Sequence, residues 1–283
     1  MIEIKNLSFS YSKKNLFNNL NLSLSEGKIY GLLGKNGSGK TTLFKLISGI
    51  LFPDKGEISI NGINSNSRSF LIYRDIFFYP EEIFIPEMQI KKFVDIYSVF
   101  YEKFNKEKFY SLLESMEIKP DLDISKLSLG MKKKFYLVFG LATESKIYLL
   151  DEPTIGLDIP SKSQFRKTIL NSLNEEKLFI ISSHQIKDFN LLLDEVIIID
   201  SGNILYKNDM EFINENFGVI FLQKGFEENE GILYKEEVLN GSMCIVDKRK
   251  FKNENSIQNI QDIDLEILFN FIVNSKEKIE LLI

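Results

Sequence analysis

Gly34-Lys35-Asn36-Gly37-Ser38-Gly39-Lys40-Thr41 is the stretch that decides how this chain is read. It fits the pattern G-x-x-x-x-G-K-[ST] of a phosphate-binding loop. Gly34, Gly37 and Gly39 let the backbone turn tightly, so that successive N–H groups converge on phosphate oxygens. Just before it, Lys28-Ile-Tyr-Gly-Leu-Leu33 is a short apolar run suited to a buried parallel strand. Just after it, residues 41–48 are expected to form a helix stopped by Gly49, whose first turn adds the positive end of its dipole. In that setting Asn36, Ser38 and Thr42 join the glycines around a nucleotide. Lys40 is suited to reach its β- and γ-phosphates, and the Thr41 hydroxyl to ligate Mg²⁺.

Outward from the loop, the period of the apolar residues changes three times. Ile2, Ile4, Leu7 and Phe9 partly alternate, and Leu16, Leu20, Leu22 and Leu24 continue the pattern, which predicts strands; residues 57–60 predict another, closed by Asn61-Gly62. Between Pro86 and about Phe104, Ile90, Phe93, Tyr97, Phe100 and Phe104 recur at helical spacing, and a second helix is expected over 106–116. From Ile147 strand and helix alternate: strands at 147–150, 178–182 and 196–200, and a helix at 161–173. Such alternation argues for a mostly parallel sheet with helices on its faces, and makes the helical stretch an insert. Beyond residue 210, short β-like pieces (219–222, 232–234, 242–246) precede a helix at 265–273.

The expected fold is therefore α/β: a P-loop NTPase core with a mostly parallel sheet, an antiparallel β subdomain, a helical insert at about 82–130, and a small α+β C-terminal appendage. Residues 1–210 would form the nucleotide-handling domain and 211–283 the appendage. The aromatic stripe of the insert is expected to be its core.

Composition narrows the function. The 283 residues are 44% hydrophobic and carry a formal charge of −5, so no global basic field favours nucleic acid or anionic lipid. The run Lys132-Lys133-Lys134 reads as a solvated face. One cysteine, Cys244, and one histidine, His184, leave no disulfide and no cysteine cluster for zinc. No apolar run approaches the roughly 18 residues of a membrane-spanning helix, and the start lacks the pattern of a secretory signal. The expectation is a cytoplasmic protein that another protein brings to a membrane.

A second chemical element is Ile147-Tyr-Leu-Leu150-Asp151-Glu152, an apolar strand ending in two carboxylates. Asp151 is suited to hold Mg²⁺, directly or through water, and Glu152 to orient or deprotonate an attacking water. Together with the loop this says P-loop NTPase, a class that includes kinases, helicases and GTPases.

Leu127-Ser128-Leu129-Gly130-Met131 narrows it further, because it resembles the Leu-Ser-Gly-Gly-Gln signature of the ABC ATPase family at the family's usual place before the acid pair. It departs from that signature at Leu129 and Met131. The resemblance implies that Ser128 and Gly130 form an anion-binding turn for ATP held by another subunit, although a serine there also caps a helix. Ile155-Gly156-Leu157-Asp158 resembles the family's D-loop. His184, after Ile181-Ser182-Ser183, stands where the family places a histidine on the γ-phosphate, and Tyr11 where it places an aromatic on adenine. At the junction where the family usually offers a glutamine near Mg²⁺, this chain has Phe78-Tyr79-Pro80-Glu81-Glu82; Glu81 aligns with it, and either Glu81 or Glu82 could serve. Leu265-Glu266-Ile-Leu-Phe269 resembles the ending of drug- and peptide-exporter ATPases.

The resemblance covers residues 1 to about 210. It implies two subunits, identical or homologous, closing head to tail on two molecules of ATP with Mg²⁺ and driving a separate membrane permease from its cytoplasmic side. Catalytic roles fall to Lys40, Glu152 and His184, and metal ligation to Thr41, Asp151 and Glu81. The alternatives are an ABC ATPase acting on ribosomes or DNA, a small-molecule kinase, and a regulator that closes on ATP without turnover.

Overall fold

The computed structural model describes residues 2–67, 69–184, 192–223, 231–251 and 260–275. Parts of the expected C-terminal appendage (224–230, 252–259 and 276–283) lie outside them.

Six strands make the central sheet, in the order β10-β9-β3-β8-β7-β6. They are β3 (Lys28–Leu33), β6 (Ile76–Tyr79), β7 (Ile147–Asp151), β8 (Leu178–Ser183), β9 (Glu195–Asp200) and β10 (Asn203–Asp209). Neighbours from β6 to β9 run parallel, while β10 returns antiparallel on β9. Every residue of β7 and β8 is buried, as expected of strands covered on both faces. The parallel register aligns the C-terminal ends of β3, β7 and β8, which is where open α/β sheets bind ligands.

A second, antiparallel sheet has the order β2-β1-β4-β5, from β1 (Ile2–Tyr11), β2 (Lys14–Leu24), β4 (Lys55–Ile60) and β5 (Ile63–Asn64). The alternating residues Ile2, Ile4, Leu7 and Phe9 face inward with Leu20, Leu22 and Leu24. They share one apolar cluster with α1 (Lys40–Ile47), which follows the phosphate loop. Phe17, and not Leu16, fills the centre of β2's inner face. A short α2 (Phe70–Tyr73) leads to β6.

The insert holds α3 (Ile90–Tyr97), α4 (Lys106–Ser115) and the start of α5 (Leu129–Ala142). Its stripe is core, with one exception. Phe93 is buried, stacks on Tyr97 with ring centres 4.3 Å apart, and meets Phe135 and Phe139 of α5 edge-on. Truncating such an aromatic costs about 3–5 kcal/mol. Phe100 is 64% exposed, because α3 ends at Tyr97 and a tight turn over Ser98–Phe100 breaks the period. After β7, α6 (Ile159–Leu170) starts two residues earlier than expected, with Asp158 as its cap and proline in its first turn.

Beyond β10 come α7 (Met210–Asn216), a three-stranded antiparallel sheet of β11 (Phe217–Gln223), β13 (Gly241–Asp247) and β12 (Ile232–Val238) in that order, and α8 (Leu265–Asn274). The buried residues of α8 belong to the same apolar cluster as Val196 and Ile198 of β9. Among the described residues, no helix is long and apolar enough to cross a membrane.

Candidate functional site

β3 runs fully buried from Ile29 to Leu33 and delivers the chain into the phosphate loop. At Gly34 a Cβ would lie 2.4 Å from Ser38 Oγ and 2.6 Å from the Ile199 carbonyl oxygen, so only glycine fits. Gly39 takes a φ of 112° to turn the chain into α1, and a side chain there would strike the Phe17 ring at 2.8 Å. The loop is thus held at Gly34 against β9 of the central sheet and at Gly39 against β2 of the second sheet.

Lys40 is almost enclosed. Its ammonium donates to the carbonyls of Gly34 at 2.8 Å and Lys35 at 3.3 Å, which holds a positive charge over the loop. One residue on, the Thr41 hydroxyl donates to Asp151 Oδ2 at 2.6 Å. Asp151 ends β7 opposite Ser182 of β8, whose hydroxyl donates to Asp151 Oδ1 at 2.5 Å and accepts the Glu152 N–H at 3.0 Å. Glu152 itself sits at a φ of 46°, a left-handed conformation uncommon for a residue with a side chain. That turn aims its carboxylate away from the strand: Oε1 lies 2.8 Å from His184 Nδ1 and 3.6 Å from Lys40 Nζ. These are ion-pair contacts; this buried oxygen has no hydrogen-bond partner, and nor does Ser38 Oγ.

These groups face a cleft of about 430 Å³ lined by Tyr11, Lys14, Leu16, residues 36–42, Glu81, Glu152 and His184. Its mouth carries Tyr11, whose hydroxyl is 3.4 Å from Thr42 Oγ1. Glu81 follows the end of β6 into the cleft, and Glu82 does not line it. A hydroxyl without a partner, a row of loop amides and an ammonium suit a polyphosphate. Hard oxygens from Thr41, Asp151 and Glu81 suit Mg²⁺, which prefers few protein ligands beside phosphate oxygens.

Ser128 and Gly130 stand apart from this cleft. Ser128 is exposed and caps α5, its oxygen accepting the Met131 N–H at 3.2 Å. A hydroxyl that accepts there keeps its proton free to donate. Gly130 packs on Leu157 of the neighbouring loop, and Leu129 is 63% exposed. Asp158 accepts the Ser161 N–H at 2.9 Å, and hydrogen bonding from the Ser161 hydroxyl first, and then from that N–H, holds its carboxyl below the usual range.

The family model for the ABC transporter ATPase domain, described as "ABC transporter", matches residues 17–155. The ATP-binding protein YtrB of Bacillus subtilis, an ABC transporter component, is 28% identical over 238 residues, 84% of this chain and 81% of its own length. The Nod factor export ATP-binding protein I of Burkholderia orbicola is 30% identical over 207 residues, 71% of this chain and 68% of that protein. The chain belongs to the ABC transporter ATP-binding family. A solved ATP-binding subunit of an ABC transporter superposes on 76% of this ABC ATPase with a TM-score of 0.69, at 23% identity and over 92% of its own chain, which agrees in fold.

Three features of this ABC ATPase escape a reading of its sequence alone. Ser182 organises both acids, but its role follows only from lying beside Asp151 in the sheet. Lys14 and Leu16 line the cleft from β2, and no local pattern marks them. The expectation of a solvated face at 132–134 is wrong for its middle member: Lys133 is only 3% exposed, and its ammonium donates to the Ile155 carbonyl at 2.7 Å. Successive helical residues point about 100° apart, so three adjacent lysines cannot share one face. Lys134 instead reaches Gln164 of α6 at 3.0 Å.

Proposed function

We propose that this ABC ATPase works as a pair, with a second copy or a homologue, and that each ATP lies between the cleft of one chain and the Ser128 turn of the other. The observation that carries this is a separation: within one chain the Ser128 turn is outward-facing and is not part of the cleft. Leu129, next to the serine, and Ile159 at the start of α6, at 82% exposure, leave apolar surface for a partner to cover.

In this reading Lys40 and the loop amides hold the β- and γ-phosphates. Tyr11 packs on the adenine, where a ring offers stacking area. Thr41 and Asp151 hold Mg²⁺, and Glu81 reaches it or one of its waters. When bound, the cation neutralises phosphate charge. Glu152, with an oxygen free of hydrogen bonds, acts on the attacking water, and His184 stands beside it to meet the γ-phosphate. The Ser128 hydroxyl and the first amides of α5 complete the charge stabilisation from across the interface.

Residues 1–210 would be the ATPase unit, with an insert at about 82–130 that passes its motion to a membrane permease. The segment 211–283 would be a brace, since α8 shares the core of β9. The relative named for Nod factor export favours an exporter. Both curated relatives are named as ATP-binding proteins of transport systems, which favours transport over action on ribosomes or DNA.

The test is a Glu152→Gln chain purified from membranes with Mg-ATP. It is expected to retain ATP, run as a dimer and bring down a polytopic membrane protein. A monomer at saturating Mg-ATP overturns the composite site.

A further inference from the structure

Lys133 occupies a place that neither the phosphate chemistry nor the fold accounts for. A buried ammonium is costly unless it is paired and hydrogen-bonded, and this one spends a hydrogen bond on a backbone carbonyl, that of Ile155. Ile155 belongs to the turn that leaves the acid pair: its own N–H donates to the Glu152 carbonyl at 3.3 Å, and the Leu157 N–H donates to that of Thr154 at 3.1 Å. Lys133 therefore grips the turn that follows Glu152 and is hydrogen-bonded to its carbonyl.

The other end of the lysine is as well placed. Its helix α5 is capped by Ser128, and the first intrahelical bond, Lys132 N–H to the Ser128 carbonyl at 2.8 Å, lies one residue before it. Its own carbonyl accepts the Tyr79 hydroxyl at 3.3 Å, from the strand that leads to Glu81. Around it, Leu157 packs on Gly130, and Leu129 lies against Gly156. Burial pushes the ammonium below its ordinary value, while the charges of Glu81 and Glu152 pull the other way.

We propose that Lys133 is a positioning residue that ties the Ser128 helix to the Glu152 turn of the same chain, so that engagement of Ser128 with one ATP is transmitted to the acid that serves the other. The proposal rests on the composite-site reading, in which these two elements of one chain face different nucleotides. Coupling between sites is carried by hydrogen-bond networks and packed side chains that join rigid elements, and here one residue is covalently part of the first element and hydrogen-bonded to the second. No group is transferred; the lysine holds a loop.

The experiment is steady-state phosphate release by the intact chain, with its permease where that co-purifies, against ATP concentration. Lys133→Met keeps the apolar stem and removes the donor. It is expected to lower kcat about tenfold, the cost of one charge-assisted hydrogen bond, with KM for ATP within about twofold and the Hill coefficient reduced towards one. Lys133→Arg, which keeps a charged donor, should recover most of the loss. In a Glu152→Gln background Lys133→Met should add nothing further. Should Lys133→Met prove unstable, amide exchange over residues 153–158 in Lys133→Leu, which also lacks the donor, against the parent reads the same tether, and unchanged exchange with unchanged cooperativity overturns it. Equal kcat and Hill coefficient in parent and Lys133→Met overturn the proposal while leaving the composite site standing. A parent that stays monomeric at saturating Mg-ATP overturns the composite site itself.

Discussion

In the cleft, Asp151 is wholly enclosed and both its oxygens are taken by the hydroxyls of Thr41 and Ser182; at the Ser128 turn, the hydroxyl, Leu129 and Ile159 all face outward. The first region has its geometry fixed by the fold of one chain. The second offers donors that, in water, are worth little, and that gain strength only where a partner excludes solvent. In the proposed pairing, a site divided in this way would not run at full rate until its two regions meet, which would couple turnover to assembly. Preorganisation would then be concentrated on Asp151 and Glu152, and switching on the exposed turn.

The sharpest way to break this contrast is to attack the enclosed side. Glu152→Gln or Lys40→Ala should reduce phosphate release by about 10²–10³-fold, the scale of losing one catalytic or charge-stabilising group. Turnover that survives either change would mean that the buried network is structural. Ser128→Ala tests the other region. It should lower turnover roughly tenfold or more while nucleotide binding by the isolated chain stays within about twofold, apart from about 1 kcal/mol lost from the cap. Equal loss of binding and turnover would place Ser128 inside the single-chain site. Ser182→Ala sits between these cases. Removing that hydroxyl leaves Asp151 Oδ1 and the Glu152 N–H without their shared partner, and kcat should fall about fivefold to tenfold. A mixed outcome, with kcat intact and Mg²⁺ affinity reduced, would assign Ser182 to Asp151 alone.

Much of the enclosed region was legible in the chain because its parts are local. The loop glycines, Lys40 and Thr41 are contiguous, and the acids close an unbroken apolar run, so spacing alone located them. Strands β7, β8 and β9 were legible for the same reason. β6 and β10 were not: Ile76–Tyr79 is too short an apolar run to separate from a buried helix segment, and Asn203–Asp209 is mostly polar because it lies at the sheet's edge. Lys133 was misread because a charge run suggests solvent, whereas α5 rotates its middle member into the interior. Ser182 was invisible for a different reason. Its neighbour Asp151 lies 31 residues away and is brought alongside only by the parallel register of β7 and β8. What sequence conveys well is chemistry along the chain; what it hides is chemistry across the sheet.

A third polar network serves as the control on which the contrast depends. Asp247 ends β13 with its side chain fully enclosed, accepting two bonds from the Arg249 guanidinium at 2.9 and 3.0 Å, and a third from the Arg249 N–H at 3.0 Å. Arg249 in turn lies over the Phe217 ring, 5.5 Å from its centre. The arginine's hydrogen bonds hold the Asp247 carboxyl below its ordinary range, against the opposing effect of burial. A carboxyl with a depressed folded pKa contributes stability that is fully present above its unfolded value, about 4, and is lost as pH falls through the folded value. Asp247→Asn should therefore lower the unfolding midpoint by only about 2 °C at pH 7, since Arg249 is half exposed and its pairing is screened. The difference from the parent should shrink below pH 4, and ATP turnover should not change. If turnover fell with Asp247→Asn as it does with Ser182→Ala, burial of a polar network would no longer distinguish catalytic from structural groups in this chain, and the division between cleft and turn would have to rest on the Ser128 result alone.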